Sequence, residues 1–228
     1  MINIIICGYR DWAHQLYMEV RSDFTLFPNY HVMYVDDKDY LDEVLTRPNY
    51  EPTYIFFIGW SWLVDEDIIK NYKCICLHPS SLPKYRGGSP LQHQIINGET
   101  ESAITLFEMD NGIDTGDIIF QKEFSLLGDL QDILNRISNM GSAAVIDIIK
   151  NGYTSVVKQD EKEATLYKRR KPKMSEIKLE DFKEKTAEEL FNKIRALQHP
   201  YPNAFVICKD GTKLFLTNAS MGDKSEDN

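Results

Sequence analysis

Two side chains capable of acid–base chemistry lie in separate parts of the sequence. His78 ends the apolar run Cys74-Ile-Cys-Leu-His78, and Asp114 lies in the segment Met109-Asp-Asn-Gly-Ile-Asp-Thr-Gly-Asp117. A carboxylate beside an imidazole can orient the ring and stabilise its protonated form, which suits general acid–base catalysis near neutral pH. A turn rich in Asp, Asn and Gly is also ordinary for an exposed loop. The prediction of a catalytic pair therefore depends on a fold that brings the two residues together.

Cys74 and Cys76 share a strand face with His78, because side chains two positions apart in a strand point the same way. One interpretation is a metal site. Its spacing is shorter than that of ordinary zinc sites, and no second ligand pair follows. The alternative, which we favour for Cys74, is a small buried apolar side chain in a core strand. We therefore predict no metal.

The elements that must position these residues alternate between strand and helix. The pattern predicts strands over residues 3–7, 31–35, 54–58 and 74–77, with helices over 11–24 and 36–47. Strands separated by helices imply right-handed crossovers, and hence an α/β fold with a doubly wound, Rossmann-like, mostly parallel sheet. Ligands of such sheets bind at the carboxyl ends of the strands, where His78 would lie.

The second half of the chain changes character. We expect a short helix over 91–97, a strand pair over 103–109 and 117–124, and a long helix over 130–150. Thr186 and Glu189 form a capping-box pattern that opens a helix reaching about residue 197, and Asp210-Gly211 predicts a hairpin between 205–208 and 213–217. We predict a catalytic domain over 1–157 and a small C-terminal helix and hairpin appendage over 158–228. The polar tail from Ser220 is expected to fray.

Composition narrows the class of protein. The 228 residues carry a formal net charge of −9, which argues against tight binding of a polyanion such as tRNA. The apolar runs are far shorter than the ~20 residues that span a bilayer, and four cysteines are too few for a disulfide framework. No glycine-rich dinucleotide or triphosphate motif is present. The sequence predicts a soluble cytoplasmic protein without a membrane or nucleic-acid partner.

The two motifs together resemble those of the N10-formyltetrahydrofolate-dependent formyltransferases. The residues that carry the resemblance are His78-Pro-Ser-Ser-Leu-Pro-Lys-Tyr-Arg-Gly-Gly-Ser-Pro90 and Met109-Asp-Asn-Gly-Ile-Asp-Thr-Gly-Asp117, at a separation that also matches the family. The resemblance covers most of residues 1–205. It implies an enzyme that transfers one carbon from N10-formyltetrahydrofolate to an amine, with no metal.

The resemblance also implies site residues. The family's catalytic His and Asp fall on His78 and Asp114, whereas its Asn falls on Cys76. In the family the Asn amide donates to the oxyanion, and loss of such a donor costs ~10²–10³ in rate. A thiol is a weaker donor, so either another donor replaces it or the protein is a slow enzyme or a catalytically silent binding protein. The residues implied for the folate are Trp62, Leu63, Val64, Asp110, Gly112 and Ile113.

Among the subfamilies, the sugar N-formyltransferases are the most similar. They share the Tyr-Arg-Gly-Gly-Ser-Pro loop, a start like Gly8-Tyr-Arg-Asp-Trp12, and a stretch like that from Arg195 to Phe205. Their substrates are nucleotide-linked amino sugars of surface polysaccharides such as O-antigen and lipopolysaccharide, commonly a dTDP-4-amino-4,6-dideoxyhexose. The alternatives are a UDP-aminopentose or glycinamide ribonucleotide. The resemblance also leaves a homodimer open.

A nucleotide sugar needs cationic and aromatic side chains in the cleft. The candidates are Tyr9, Arg10, Lys84, Arg86, Arg195 and Tyr201. The basic run Lys168-Arg-Arg-Lys171 is instead predicted to be a solvated linker.

Overall fold

A computed structural model describes residues 1–223 of the chain. The strands are β1 (Ile2–Cys7), β2 (Tyr30–Val35), β3 (Pro52–Ile58), β4 (Cys74–His78), β5 (Arg86–Gly87), β6 (Glu101–Glu108), β7 (Ile118–Ser125), β8 (Leu166–Tyr167), β9 (Ala204–Ile207) and β10 (Lys213–Leu216). The helices are α1 (Asp11–Phe24), α2 (Lys38–Leu45), α3 (Glu66–Asn71), α4 (Pro90–Ile96), α5 (Leu130–Asn151), α6 (Asp181–Glu184) and α7 (Ala187–Arg195). The end of the predicted frayed tail, residues 224–228, lies outside the described residues.

The central sheet has six strands in the order β2-β1-β3-β4-β6-β7. The first four strands of this order are parallel to one another, whereas β6 runs antiparallel to β4 and β7 antiparallel to β6. This is the predicted α/β, mostly parallel Rossmann-like sheet, and that prediction is confirmed. Because β4 is parallel to β3 and antiparallel to β6, its carboxyl end lies at the point where the direction of the sheet changes.

The sheet is buried on both faces, as its near-continuous apolar strands predict. Helices α1 and α5 cover one face, and α2 covers the other through Leu41 and Val44. Gly141 allows α5 to approach closely, since a Cβ there would lie 2.7 Å from side-chain atoms of both Leu16 and Leu77. The α1–α5 pair therefore forms a fixed support beneath β4.

The C-terminal part contains a smaller core and a hairpin. Ile177, Leu190, Ile194, Leu197 and Ala204 form its buried cluster, and β9 and β10 pair as an antiparallel hairpin. The predicted capping box opens α7: Thr186 accepts from the Glu189 N–H at 3.2 Å, and Glu189 accepts from the Thr186 N–H at 2.8 Å. The small C-terminal helix and hairpin are thus confirmed as elements, while the domain boundary at 157/158 stays a prediction.

The short elements α3, α6, β5 and β8 were not predicted from the sequence. Helix α3 is short and has no buried residue, so it carries little of the apolar periodicity that identifies a helix. Strands β5 and β8 have two residues each and pair in parallel across a long sequence interval, a contact that local patterns do not encode. Within residues 1–223, no helix combines the length and the apolar character needed to cross a membrane.

Candidate active site

His78 lies at the carboxyl end of β4 with its ring held by a backbone carbonyl. The residue is 5% exposed, and its Nε2 atom is 2.8 Å from the carbonyl oxygen of Tyr85. A carbonyl can only accept a hydrogen bond, so Nε2 carries the hydrogen in this arrangement. The neutral ring then presents the lone pair of Nδ1, which makes Nδ1 the atom able to accept a proton.

Asp114 faces that same nitrogen. Its Oδ2 atom is 3.5 Å from Nδ1 of His78 and accepts a hydrogen bond from the Gly87 N–H at 2.7 Å. The carboxylate is therefore held by the loop after β4 and is placed to stabilise the imidazolium once Nδ1 is protonated. The structure brings together His78 and Asp114, as the sequence predicted, but it shows that the Tyr85 carbonyl, rather than Asp114, makes the hydrogen bond that orients the ring.

The turn that carries Asp114 is strained and held by a glutamine. Asp114 has a left-handed φ of 54°, a conformation that Asp tolerates better than most residues. Gln159 Nε2 donates to the carbonyls of Asp114 at 2.9 Å and Gly116 at 2.7 Å, and Arg86 Nε donates to Gln159 Oε1 at 3.0 Å. These contacts fix the turn over the face of β4. The sequence analysis did not identify Gln159, which has no motif of its own.

Cys76 shares this strand face with His78 and packs against the buried apolar cluster that includes Phe57 and Cys74. Burial, assisted by the nearby Asp114 carboxylate, raises the pKa of the Cys76 thiol well above its ordinary value. The side chain is therefore a neutral thiol at physiological pH, which is a weak hydrogen-bond donor and a poor nucleophile. Cys76 lines the site but does not supply the strong donor that an amide would.

A cleft of about 350 Å³ opens beside the pair. Its lining comes from the ends of β1, β3 and β4 and from the segments around residues 169–172 and 201–202. Its volume falls within the range of ~300–1,000 Å³ typical of small-molecule sites. The cleft includes Cys76, His78 and Asp114 in its lining, so the three predicted catalytic residues face one space.

The residues implied for the folate lie on two loops outside the lining of this cleft. Trp62, Leu63 and Ile113 are exposed by 43%, 83% and 55%, and the Trp62 ring contacts those of Tyr9 and Trp60 edge-on. Val64 packs against the core. Asp110 Oδ1 accepts from the Gly112 N–H at 3.0 Å and so shapes the Asp-rich turn. Exposed apolar side chains on these loops suit a flat, partly apolar ring, and the role itself stays a prediction.

The six predicted substrate residues divide into two groups. Tyr9, Arg10 and Tyr201 line the cleft, and the Arg10 guanidinium lies 4.6 Å from the Tyr9 ring centre and 5.4 Å from that of Tyr201. Burial raises the pKa of the Tyr201 hydroxyl. Lys84 is exposed and does not line the cleft.

Arg86 and Arg195 have structural partners instead of a position in the cleft. Arg86 is 5% exposed and forms a bidentate pair with Glu161 at 2.7 and 3.0 Å, an interaction that lowers the pKa of the Glu161 carboxyl. Arg195 donates to the Leu126 carbonyl at 2.7 Å and to Asn192 at 2.8 Å. Both guanidinium groups bond within the protein and neither lines the cleft, so this geometry does not support the prediction that they hold the substrate.

The basic run is exposed at Lys168, Arg169 and Lys171, as the predicted solvated linker would be, but it also borders the cleft. Arg169, Arg170 and Lys171 line the cleft, because β8 pairs with β5 and carries the following residues past the loop after β4. The charge run was visible in the sequence, but the pairing that places it was not. Among residues 1–223, no cluster of three or more His, Cys, Asp or Glu side chains is arranged to hold a metal ion.

Comparison with known proteins agrees with this geometry. The sequence model of the formyl transferase family matches residues 32–149, and that of the formyl transferase C-terminal domain matches residues 173–228. A methionyl-tRNA formyltransferase of Ehrlichia ruminantium is 31% identical over 194 residues, covering 82% of this chain and 58% of the relative. The chain thus spans little more than half the length of that relative.

Two solved structures extend the comparison. The methionyl-tRNA formyltransferase from Clostridium thermocellum is 30% identical with a TM-score of 0.85, covering 99% of this chain and 96% of the other. The N-formyltransferase from Helicobacter canadensis, in complex with folinic acid and dTDP-3-aminofucose, is 24% identical with a TM-score of 0.63, covering 86% and 80%; at that identity it shows a shared fold. With a family model matching more than half of its length, the chain belongs to the formyl transferase family.

Proposed function

We propose that the protein transfers a formyl group from N10-formyltetrahydrofolate to the amine of a nucleotide-linked amino sugar, in its specific form a dTDP-4-amino-4,6-dideoxyhexose. The observation that supports this proposal is the His78–Asp114 pair, which opens onto a cleft lined by aromatic and cationic side chains. An acid–base pair suits acyl transfer to an amine. The cationic lining suits a substrate that carries phosphates.

In the proposed reaction, Nδ1 of His78 accepts a proton from the amine as it attacks the formyl carbon. Nδ1–H then faces the carboxylate of Asp114 at 3.5 Å, which stabilises the imidazolium until the proton passes to the departing nitrogen. The bound folate supplies the formyl carbon. Throughout the reaction, Nε2 of His78 keeps its hydrogen and donates it to the Tyr85 carbonyl. The ring therefore does not need to change its orientation.

The oxyanion needs a donor that Cys76 does not supply. The thiol stays protonated, and a neutral S–H is a weak donor. We therefore predict that the presence of Cys76 in place of the family's Asn limits the rate. A missing oxyanion donor lowers the rate ~10²–10³-fold in the enzymes where it has been measured.

A second candidate function is formylation of methionyl-tRNA. It is favoured by the names of the Ehrlichia and Clostridium proteins, which are 31% and 30% identical to this chain. Against it, a net charge of −9 disfavours a long contact with the RNA backbone. The third candidate is a catalytically silent binding protein. It is suggested by Cys76, which stands where the family has an Asn.

The experiment is a panel of acceptors. The purified protein is incubated with N10-formyltetrahydrofolate and, separately, with dTDP- and UDP-linked amino sugars, glycinamide ribonucleotide and methionyl-tRNA, and each product is weighed by mass spectrometry. A mass increase of one formyl group on a dTDP-4-amino sugar supports the proposal. Formylation of methionyl-tRNA alone, or folate binding without any transfer, contradicts it.

A further inference from the structure

Part of the cleft lining belongs to a segment that the proposed mechanism does not use. We call residues 165–171 the strap. Within it, β8 pairs in parallel with β5, with Arg86 opposite Leu166 and Gly87 opposite Tyr167. The Gly88 N–H donates to the Tyr167 carbonyl at 2.8 Å. The strap is thus attached to the same loop that holds His78 and Asp114.

The attachment extends to the cationic end of the strap. The Arg170 N–H donates to Ser89 Oγ at 3.1 Å, and a Cβ at Gly88 would lie 2.5 Å from the Cα of Arg169. Only a glycine permits this approach of one backbone to another. Backbone contacts therefore position Arg169 and Arg170 beside the cleft.

The charged side chains that line the cleft are mostly positive. Arg10, Arg169, Arg170 and Lys171 line it, and within residues 1–223 Asp114 is its sole carboxylate. None of the ion pairs in the described part of the chain involves these four cations. A local excess of positive charge in a protein of net charge −9 indicates an anionic ligand.

Arg170 is the most constrained of the four cations. Its Nη2 donates to the Met174 carbonyl at 2.8 Å, while its buried Nε has no partner among the described residues. Burial lowers the pKa of this guanidinium, because a charge removed from water without a counter-ion is disfavoured. A bound anion would provide the missing counter-charge.

Two further buried donors face the same cleft. Trp12 and Gln92 are 6% and 4% exposed, both line the cleft, and neither Trp12 Nε1 nor Gln92 Nε2 has a hydrogen-bond partner within residues 1–223. Buried donors are rarely left unpaired, so a ligand rich in acceptor oxygens fits this space.

We infer that Arg169 and Arg170 of the strap, with Lys171 and Arg10, bind the phosphates of a nucleoside diphosphate, so that the attached sugar reaches His78. This inference rests on the proposed function, and it names the residues that bind the phosphates of the proposed substrate. A cleft of about 350 Å³ has the size of a small-molecule site, whereas a duplex or folded RNA would require a long exposed basic surface. A nucleoside diphosphate is therefore the favoured occupant.

The test measures binding of dTDP and UDP, without folate or sugar, by titration calorimetry. Arg170→Gln is expected to weaken the binding about 10- to 100-fold, the loss expected for charge-assisted hydrogen bonds to phosphate. Arg169→Gln, whose side chain is exposed and whose replacement leaves the core intact, is expected to weaken it about 3-fold or more. Lys168→Gln is the matched control, since it removes one charge from the same strap outside the cleft lining.

Steady-state kinetics separates this inference from the proposed function. With a dTDP-amino sugar as acceptor, Arg169→Gln is expected to raise KM with kcat within about twofold, because it removes binding of ground and transition state alike. Unchanged Kd and KM in both arginine variants, with formyl transfer intact, would overturn the inference alone. Binding of tRNA but not of dTDP or UDP would overturn it as well. Nucleotide binding lost in the variants, in a protein that formylates no acceptor, would support the inference and contradict the proposed function.

Discussion

The proposed reaction centre (Cys76, His78 and Asp114) and the strap line the same cleft. The chain builds these two regions in different ways. His78 and Cys76 belong to a core strand with neighbours on both sides in the sheet, so their positions follow from the strand period. Arg169 and Arg170 follow a two-residue strand, and their positions depend on one parallel pairing and a few loop hydrogen bonds. In the proposed function, the chemistry is thus carried by residues of a core strand, and substrate recognition by a segment whose geometry comes from long-range contacts.

This difference indicates where variation is tolerated. If the two proposals hold, a change at the end of β4 alters the reacting groups directly, while a change in the strap alters how tightly the substrate is bound. Gln159 lies between the two regions, because it contacts the Asp114 turn and, through Arg86, the β5 strand that pairs with the strap. Substitutions at these places can establish how far the regions are independent.

The largest effect is expected at the reaction centre. His78→Asn removes the proton acceptor, and we expect kcat for formyl transfer to fall by about 10³-fold, within the range of general-base contributions. Folate binding, measured by fluorescence titration, should change little, and circular dichroism should show the native spectrum. Activity within tenfold of wild type in a folded His78→Asn protein would place the proton transfer elsewhere.

Asp114→Asn should have the next largest effect. An Asn oxygen can still accept from the Gly87 N–H, which at 2.7 Å fixes the turn, so this change mainly removes the negative charge opposite Nδ1. We expect kcat to fall by about 10²-fold, from lost stabilisation of the imidazolium. Asp117→Asn, a change of equal charge on the same turn, is the control and should remain close to wild type. Equal effects of the two changes would mean that overall charge, and not position, is responsible.

A smaller effect is expected where the two regions meet. Gln159→Ala removes the hydrogen bonds to the carbonyls of Asp114 and Gly116, so the turn is held less firmly. We expect kcat to fall about 3- to 10-fold, with dTDP affinity unchanged and the free energy of unfolding reduced by about 1–2 kcal/mol. Gln131→Ala, on the exposed face of α5, is the matched control. A loss of dTDP affinity equal to the loss of kcat would show that the two regions act as one unit.

The smallest change is expected at Cys76. Cys76→Asn introduces an amide donor on the strand face of His78, and we expect kcat to be unchanged or higher, measured under saturating acceptor and folate. The thermal midpoint is recorded in parallel, since Asn is larger than Cys and polar in a packed position. A tenfold loss of kcat in a protein of unchanged midpoint would show that the thiol itself takes part.

The sequence allowed most of the fold to be predicted, because the apolar periods of the main elements are strong. Helix α1 spans the predicted residues, and the ends of β4 and α5 differ from prediction by one residue. The same patterns placed His78 at a strand end, and the motif resemblance identified Asp114 as its partner. These predictions rest on local patterns and on one well-defined pair of motifs.

The predictions about substrate-binding cations were less accurate, for a physical reason. Arg86 lies in the most recognisable motif of the chain, yet its charge is neutralised by Glu161, which follows the motif by a long stretch of sequence. Arg170 lies in an ordinary basic run, yet it is held beside the cleft. Whether a cation faces a ligand or a carboxylate depends on tertiary pairing, and side-chain type alone does not reveal it.

The carbonyl that holds His78 has a consequence for mutagenesis. Because the group that accepts from Nε2 belongs to the backbone of Tyr85, replacement of the tyrosine side chain leaves the tautomer of the ring intact. An alanine scan would then report that no residue fixes the ring, although one does. Nitrogen chemical shifts of labelled histidine would reveal the fixed proton directly, and would do so even in variants whose catalytic rate is unchanged.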